Sequence, residues 1–303
     1  MAFDDLDVVI VGNVGVDTNV YLHGAEVDFS VESNFTENID CVGQAGGYVS
    51  RGFAQLGYRT GFIGYLGDDH NGRYVREAFN EDGIDPTATF IDPTGTGRSV
   101  NIMYRDGRRK NFYDGKGHMN LKPDLDICRS VLSRTRLAHF SIPNWARQLL
   151  PVARELGLVI SCDIQDIEAF DDPYRTDFID HADILFFSSV NHPDPEPLIG
   201  GFIRRNPEQV LVVGMGAAGC VLGTREGIEI FPAVELDSPV VDTNGAGDGL
   251  AVGFLSSYVL GGYSSHDSIL RGQIAARFTC SIRGSSSQLI TRLELEQIFD
   301  AYC

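Results

Sequence analysis

The chain has 303 residues, 43% hydrophobic and 22% charged, which suits a soluble globular protein with one large core or two modest ones. Its formal net charge of −18 argues against nucleic acid and anionic membranes as partners. No apolar run nears the roughly 20 residues that span a bilayer, and the acidic start Met1-Ala2-Phe3-Asp4-Asp5 is unlike a signal peptide, so a cytoplasmic protein is expected.

Asp7–Gly12 (DVVIVG) predicts a buried first strand. Val20–Ile39 alternates polar and apolar residues, the pattern of exposed antiparallel strands. Gly47–Leu56 predicts a helix stopped by Gly57, and Thr60–Tyr65 a strand. Arg98–Tyr113 repeats the exposed alternation around an Asp106-Gly107 turn. Leu137–Ser141, Leu158–Asp163, Ile184–Phe187 and Val210–Val213 are further strand candidates, and Cys220–Ile230 reads as a hairpin turning at Arg225-Glu226-Gly227. Pro239-Val240-Val241 is strand-like, and Ala246–Leu260 predicts a long helix closed by a left-handed turn at Gly261-Gly262. Strands alternating with helices imply an α/β fold around a mostly parallel sheet. The two alternating stretches cannot bury both faces, so they are expected to form a small β-layer over one end, as a lid would. No linker-like tract or repeat divides the chain.

The chemistry concentrates in Asp242-Thr243-Asn244-Gly245-Ala246-Gly247-Asp248, which opens the long helix. Gly245 and Gly247 let the backbone approach a phosphate without a Cβ clash. With Ala246 they offer the unpaired amides of a helix N-terminus, where the dipole also favours an anion. Such donors can hold the charge that develops on a transferring phosphoryl group. Asp248, in the first turn, is placed to take a proton from a hydroxyl nucleophile. A lone Gly-x-Gly is usually just a tight turn; the full seven-residue string is far more specific.

That string resembles the C-terminal signature Asp-Thr-x-Gly-Ala-Gly-Asp of the ribokinase (PfkB) family of carbohydrate and nucleoside kinases. The resemblance runs the length of the chain. Gly12-Asn13-Val14-Gly15-Val16-Asp17 is similar to the family's first-strand turn, Phe62-Ile63-Gly64-Tyr65-Leu66-Gly67-Asp68-Asp69 to its Gly-x-x-Gly-x-Asp turn, and Gly95–Tyr113 to its lid strands. It implies one ribokinase-like domain over 1–303: a doubly wound, mostly parallel sheet flanked by helices, with lid strands from about 18–40 and 97–114. It implies ATP and Mg²⁺, a small sugar-like acceptor, and homodimers joined through the lids. Asp248 would be the base, with the amides of Gly245, Ala246 and Gly247 as anion hole. Asp17, Gly43, Gln44, Tyr48 and Ser141 would face the acceptor. Ser188, Gly216, Gly219, Thr243, Gln273 and Gly284 would face the nucleotide. Asn191 would act indirectly on Mg²⁺, and Asp242 would bind a monovalent cation such as K⁺.

Three positions depart from the family pattern. Counting back from Leu56-Gly57, its Gly-Gly-x-x-x-Asn falls on Gly43–Tyr48, so the second glycine is Gln44 and the asparagine Tyr48. A register built on Gly46-Gly47 would move the asparagine position to Arg51. The central Asn-x-x-Glu falls on Ser188-Ser189-Val190-Asn191 and loses its carboxylate. The acid that some members carry after the fifth strand is Ser141.

Other signals read as structural. Gly214-Met215-Gly216-Ala217-Ala218-Gly219 matches a dinucleotide fingerprint but leads into the Cys220–Ile230 hairpin instead of a helix. Arg108-Arg109-Lys110 could bind a phosphorylated sugar but reads better as a solvated hairpin tip. His70, His118 and His139 lack ligand spacing and read as surface or core residues; Trp145 could stack on a ligand or belong to the core. The six cysteines, Cys41, Cys128, Cys162, Cys220, Cys280 and Cys303, have no zinc-site spacing and read as structural. The expected activity is phosphoryl transfer from ATP to a hydroxyl of a sugar or sugar acid. A nucleoside kinase with Tyr48 stacked on the base, and a catalytically weak binding protein, are the alternatives.

Overall fold

In the computed structural model, which describes residues 5–302, strand β1 (Val8–Val11) is buried along its whole length. Val8 and Ile10 belong to one apolar layer and Val9 and Val11 to another, because side chains alternate along a strand. A run without polar residues is therefore what a strand covered on both faces requires. The sequence readings at Met1–Asp4 and Cys303 lie outside the described residues.

The chain continues through β2 (Gly15–Leu22), β3 (Thr36–Gly43), α1 (Ala45–Gln55), β4 (Thr60–Leu66), α2 (His70–Glu81), β5 (Asp85–Ile91), β6 (Gly97–Met103), β7 (Arg109–Asp114), α3 (Leu125–Leu132) and β8 (Leu137–Phe140). It then forms α4 (Leu150–Glu155), β9 (Val159–Asp166), α5 (Thr176–His181), β10 (Ile184–Ser188), α6 (Glu196–Arg205), β11 (Val210–Gly214), β12 (Cys220–Thr224), β13 (Gly227–Phe231), α7 (Ala246–Leu255), α8 (Ser265–Thr279) and α9 (Arg292–Tyr302). The large sheet has the order β13-β12-β11-β10-β9-β8-β1-β4-β5, parallel except for β12 and β13. Apolar residues of α3–α6 cover one face, and those of α1, α2 and α7–α9 the other. The layered α/β sheet expected from the sequence is the one observed. Among the described residues, no helix is long and apolar enough to cross a membrane.

A separate sheet, β3-β2-β6-β7, is built from the two stretches of exposed alternation. Its strands start earlier and end later than the alternation suggests: residues 23–35 are irregular, and pairing runs from Gly15↔Gly43 to Leu22↔Thr36. The central pair β2·β6 is parallel, not antiparallel. Local alternation reports exposure, not the direction of a partner distant in sequence.

Two other expectations are corrected. Pro239-Val240-Val241 is not a strand, because the Val241 and Asp242 N–H groups donate to Cys280 O at the end of α8 (2.8 and 3.2 Å). The predicted helix 246–260 changes character at Ser256, where a π-helical turn runs to Gly261 before Gly262 closes it at φ 70°. Gly216–Ala218 is one 3₁₀ turn leading into the β12–β13 hairpin, so the dinucleotide fingerprint has no helix to open.

Candidate active site

Strand order reverses between β1 and β8, and ligands of such sheets bind beyond the carboxyl ends of strands at that point. A cleft of about 960 Å³ lies there. Asn13, Asp17, Gln44 and Tyr48 line one side, Asp163, Asp166, Ser188, Gly216 and Gly219 the other, and Thr243–Asp248 runs between them.

Gly245 caps α7 in the left-handed region at φ 76°, a conformation that favours glycine. The helix starts at once, so the amides of its first turn have no intrahelical acceptor. Among the described residues, nothing lies within 4 Å of where a Cβ on Gly247 would be, which leaves that side open to the cleft. Asp248 follows. Burial pushes its carboxyl well above the usual carboxylate range, with Asp163 and then Asp17 adding to the rise and Arg109 opposing it. The residue is partly exposed and lines the cleft, but the protein around it penalises the charge.

On the acceptor side, Asp17 is 3% exposed. Tyr48 Oη donates to Asp17 Oδ2 (2.9 Å), and Asn244 Nδ2 donates to Tyr48 Oη (2.7 Å) and Asp17 Oδ2 (3.3 Å). Gln44, at φ 63°, accepts from Asn13 Nδ2 on its Oε1 (3.1 Å). Among the described residues, Asp17 Oδ1 and Gln44 Nε2 are buried without a partner. Both residues line the cleft, and each keeps hydrogen-bonding capacity that the protein does not use. Gly43 makes room for the Asp17 carboxyl: a Cβ there would stand 2.1 Å from Asp17 Cγ.

Some predicted site residues fall elsewhere. Ser141 lies behind the wall, donating to Asn13 Oδ1 (3.1 Å). Tyr48 is only 5% exposed and its hydroxyl is engaged, so its ring is not free to stack on a base. Arg51, the asparagine position in the Gly46-Gly47 register, does not line the cleft: it donates to Asp82 Oδ2 (2.6 Å) and Ser286 O (2.8 Å). Ser188, Gly216, Gly219 and Thr243 line the cleft; Gln273 and Gly284 do not. Asn191 stands just outside, donating to Asp166 Oδ2 (3.3 Å), and it is Asp166 that lines the cleft.

Other residues join the site without having been predicted. Asp163 ends the run Leu158–Asp163, is 9% exposed and is pushed up to about 6 by burial. Its Oδ1 accepts from Gln165 N–H (2.7 Å), and Gln165 itself has φ 60°. The available signal was an acid at the carboxyl end of a central strand. Among the described residues lining the cleft, Arg109 is the only arginine or lysine, and its guanidinium donates to Asn244 Oδ1. The solvated-tip reading holds for Arg108, paired with Asp106 and Glu26, and fails for Arg109. His118 is also in the wall, its ring 5.5 Å from that of Tyr113. His139 and Trp145 are core residues, each 1% exposed. Cys41, Cys128, Cys162 and Cys220 are buried thiols whose pKa burial raises.

Among the described residues, no three acidic, histidine or cysteine side chains gather as a ready-made metal site. Mg²⁺ would instead be held largely by phosphate oxygens and water, as is usual for this ion, with Asp166 among the carboxylates that line the cleft. Asp242 does not fit a cation ligand. Its Oδ2 accepts from Tyr21 Oη (2.5 Å) and its Oδ1 from Asn244 N–H (2.8 Å). Burial, and then Asp242 itself, raise the Tyr21 phenol far above its ordinary range, so it stays a donor.

Comparison with known proteins adds three likenesses and a family match. Residues 165–292 match the pfkB family carbohydrate kinase profile. The chain is 28% identical over 293 residues to acarbose 7(IV)-phosphotransferase of an Actinoplanes species, covering 95% of this chain and 97% of that enzyme. It superposes on a microbiome-derived acarbose kinase with a TM-score of 0.88 at 29% identity, covering 98% and 99% of the two chains. It shares its fold with Arabidopsis thaliana ribokinase, solved with ribose and ATP (TM-score 0.81, 19% identity, 97% and 99% covered).

Proposed function

We propose, from the premise that this chain is a carbohydrate kinase of the pfkB family, that it transfers the γ-phosphoryl group of ATP to a carbohydrate hydroxyl using Asp248 as base. The observation that carries this reading is the convergence, in one cleft, of the open α7 N-terminus, the Asp248 carboxyl and the unpartnered polar atoms of Asp17 and Gln44. The reacting hydroxyl would give its proton to Asp248, while a neighbouring hydroxyl of the acceptor donates to the Asp17 carboxylate. As the new P–O bond forms, the bond to the β-phosphate oxygen breaks and ADP leaves with the electron pair. The Gly245–Gly247 amides would hold the charge on the transferring group. Mg²⁺, when bound, would neutralise phosphate charge, with Asp166 and Asn191 reaching its water shell.

For the acceptor, we favour acarbose or a carbohydrate of that kind over a free pentose. The two acarbose kinases resemble this chain over nearly its whole length. Tyr113, Met119 and Tyr174 extend the wall beyond Asp17 with aromatic and apolar surface, suited to stacking on a further sugar ring. A nucleoside acceptor loses its main support with the burial of Tyr48. The test is kcat/KM with ATP for acarbose, ribose, fructose, 2-keto-3-deoxygluconate and inosine. Acarbose should lead and ribose should be poor; ribose as the best acceptor would refute this choice. The small sheet would act as the lid, and the exposed Phe112 on its β7, with Phe29 and Phe35 in the β2–β3 connection, is where we place a homodimer contact.

A pH dependence follows from the paired acids. Asp248 must be ionised to accept a proton, and its pKa is raised, so kcat/KM should fall on acidification at a higher pH than an ordinary carboxylate would give. Asp163→Asn removes a neighbouring like charge and should move this acid limb to lower pH. A limb that stays in place, or moves up, would show that Asp163 does not govern the base.

A further inference from the structure

We propose that Tyr21 is a positioning residue whose hydroxyl takes the place of a monovalent cation behind the reaction loop, so that phosphoryl transfer needs no K⁺. The proposal rests on the kinase reading above. Family resemblance places a cation at Asp242, yet the surroundings of that carboxylate have the wrong polarity for one. Asp242 is 2% exposed, and three donors converge on it: Tyr21 Oη at 2.5 Å, Asn244 N–H at 2.8 Å and Gly284 N–H at 3.3 Å. Gly284 N–H also donates to Tyr21 Oη (2.7 Å), so the space a cation would share with Asp242 already holds a hydroxyl and faces an amide hydrogen. A second observation is independent of these bonds. The Arg283 guanidinium lies over the Tyr21 ring, 5.1 Å from its centre, and is paired with Glu37, while Arg105 lines the same rear cleft; the path to Asp242 is thus already occupied by the protein's own cations.

The device joins distant parts of the chain. Tyr21 sits on β2, Asp242 at the start of the reaction loop and Gly284 beyond α8. Holding Asp242 orients Asn244 N–H and, through the following residues, the amides that open α7. A phenolic proton would do this at fixed geometry, where a cation would bind and leave.

The experiment measures phosphoryl transfer in choline chloride buffer with KCl titrated at constant ionic strength. Wild-type kcat should change less than about twofold, and KCl should not raise the melting temperature above that in choline chloride. Tyr21→Phe keeps the ring under Arg283 but removes the proton; its kcat should fall roughly tenfold and recover with KCl. Stimulation of the wild type severalfold by KCl, specific stabilisation of the wild type by KCl, or a Tyr21→Phe enzyme as fast as wild type in choline would each overturn the proposal. If Tyr21→Phe does not fold, the wild-type titration and melts still decide. The melts need no acceptor, so failure to phosphorylate any sugar would count against the kinase reading and not against this one.

Discussion

Asp248→Asn is expected to lower kcat by about 10²–10⁴-fold while ATP still binds. The amide keeps the size of the side chain and removes only its capacity to take a proton. The first turn of α7 is held by its backbone, with no side-chain cap to lose. Nucleotide affinity, read by calorimetry, should therefore survive, because the amides of Gly245–Gly247 are untouched. Neutralising one of the acids around the phosphate path could even tighten ATP slightly, since Asp17, Asp163 and Asp166 line the same cleft. A variant that retains more than roughly a tenth of wild-type kcat would move the base elsewhere. Asp163, a buried cleft carboxyl raised to about 6, would then be the first candidate, and Asp163→Asn would show the larger loss.

Gly43→Ala should damage the acceptor side as strongly as a change to Asp17 itself. The added methyl would stand 2.1 Å from Asp17 Cγ, 2.4 Å from its Oδ1 and 2.6 Å from its Cβ. No heavy atoms coexist at such distances, so either Asp17 turns away or β3 moves off β2. The strand is held by its pairing with β2 from Gly15↔Gly43 to Leu22↔Thr36. Asp17 is therefore the part expected to yield, breaking its bonds to Tyr48 and Asn244. Losing a charged hydrogen-bond partner is worth about 1.5–3 kcal/mol, which predicts a kcat/KM for the acceptor lower by roughly ten- to hundredfold. KM for ATP should hardly change. Asp17→Asn serves as the comparison: equal losses in the two variants support the clash, whereas a fully active Gly43→Ala enzyme would show that the glycine is not there for Asp17.

The corrections share a cause. Tyr48 was placed in the acceptor wall by counting along α1, and it lines the cleft. What counting could not show is that its hydroxyl reaches across to Asp17, from a strand 31 residues away in sequence. Arg109 read as a hairpin tip because its neighbours Asp106 and Arg108 do form one; only the folding of β7 against the reaction loop gives it Asn244 as partner. Pro239–Val241 had strand composition, but its backbone donors meet the end of α8 before any sheet edge.

By itself the sequence determined whatever depends on neighbours along the chain. Continuous apolar runs such as Val8–Val11 specify doubly covered strands, exposed alternation specifies a one-sided sheet, and Gly245 and Gly247 specify a helix start open to an anion. Tertiary structure alone decided what depends on residues far apart in the chain: the parallel β2·β6 pair, the approach of Asp163 to Asp248, and the Tyr21–Asp242–Gly284 contact that spans 263 residues. The physical reason is range. Backbone preference and side-chain periodicity act over a few residues, whereas a carboxylate's charge state and partners are set by whatever the fold packs within a few ångströms of it.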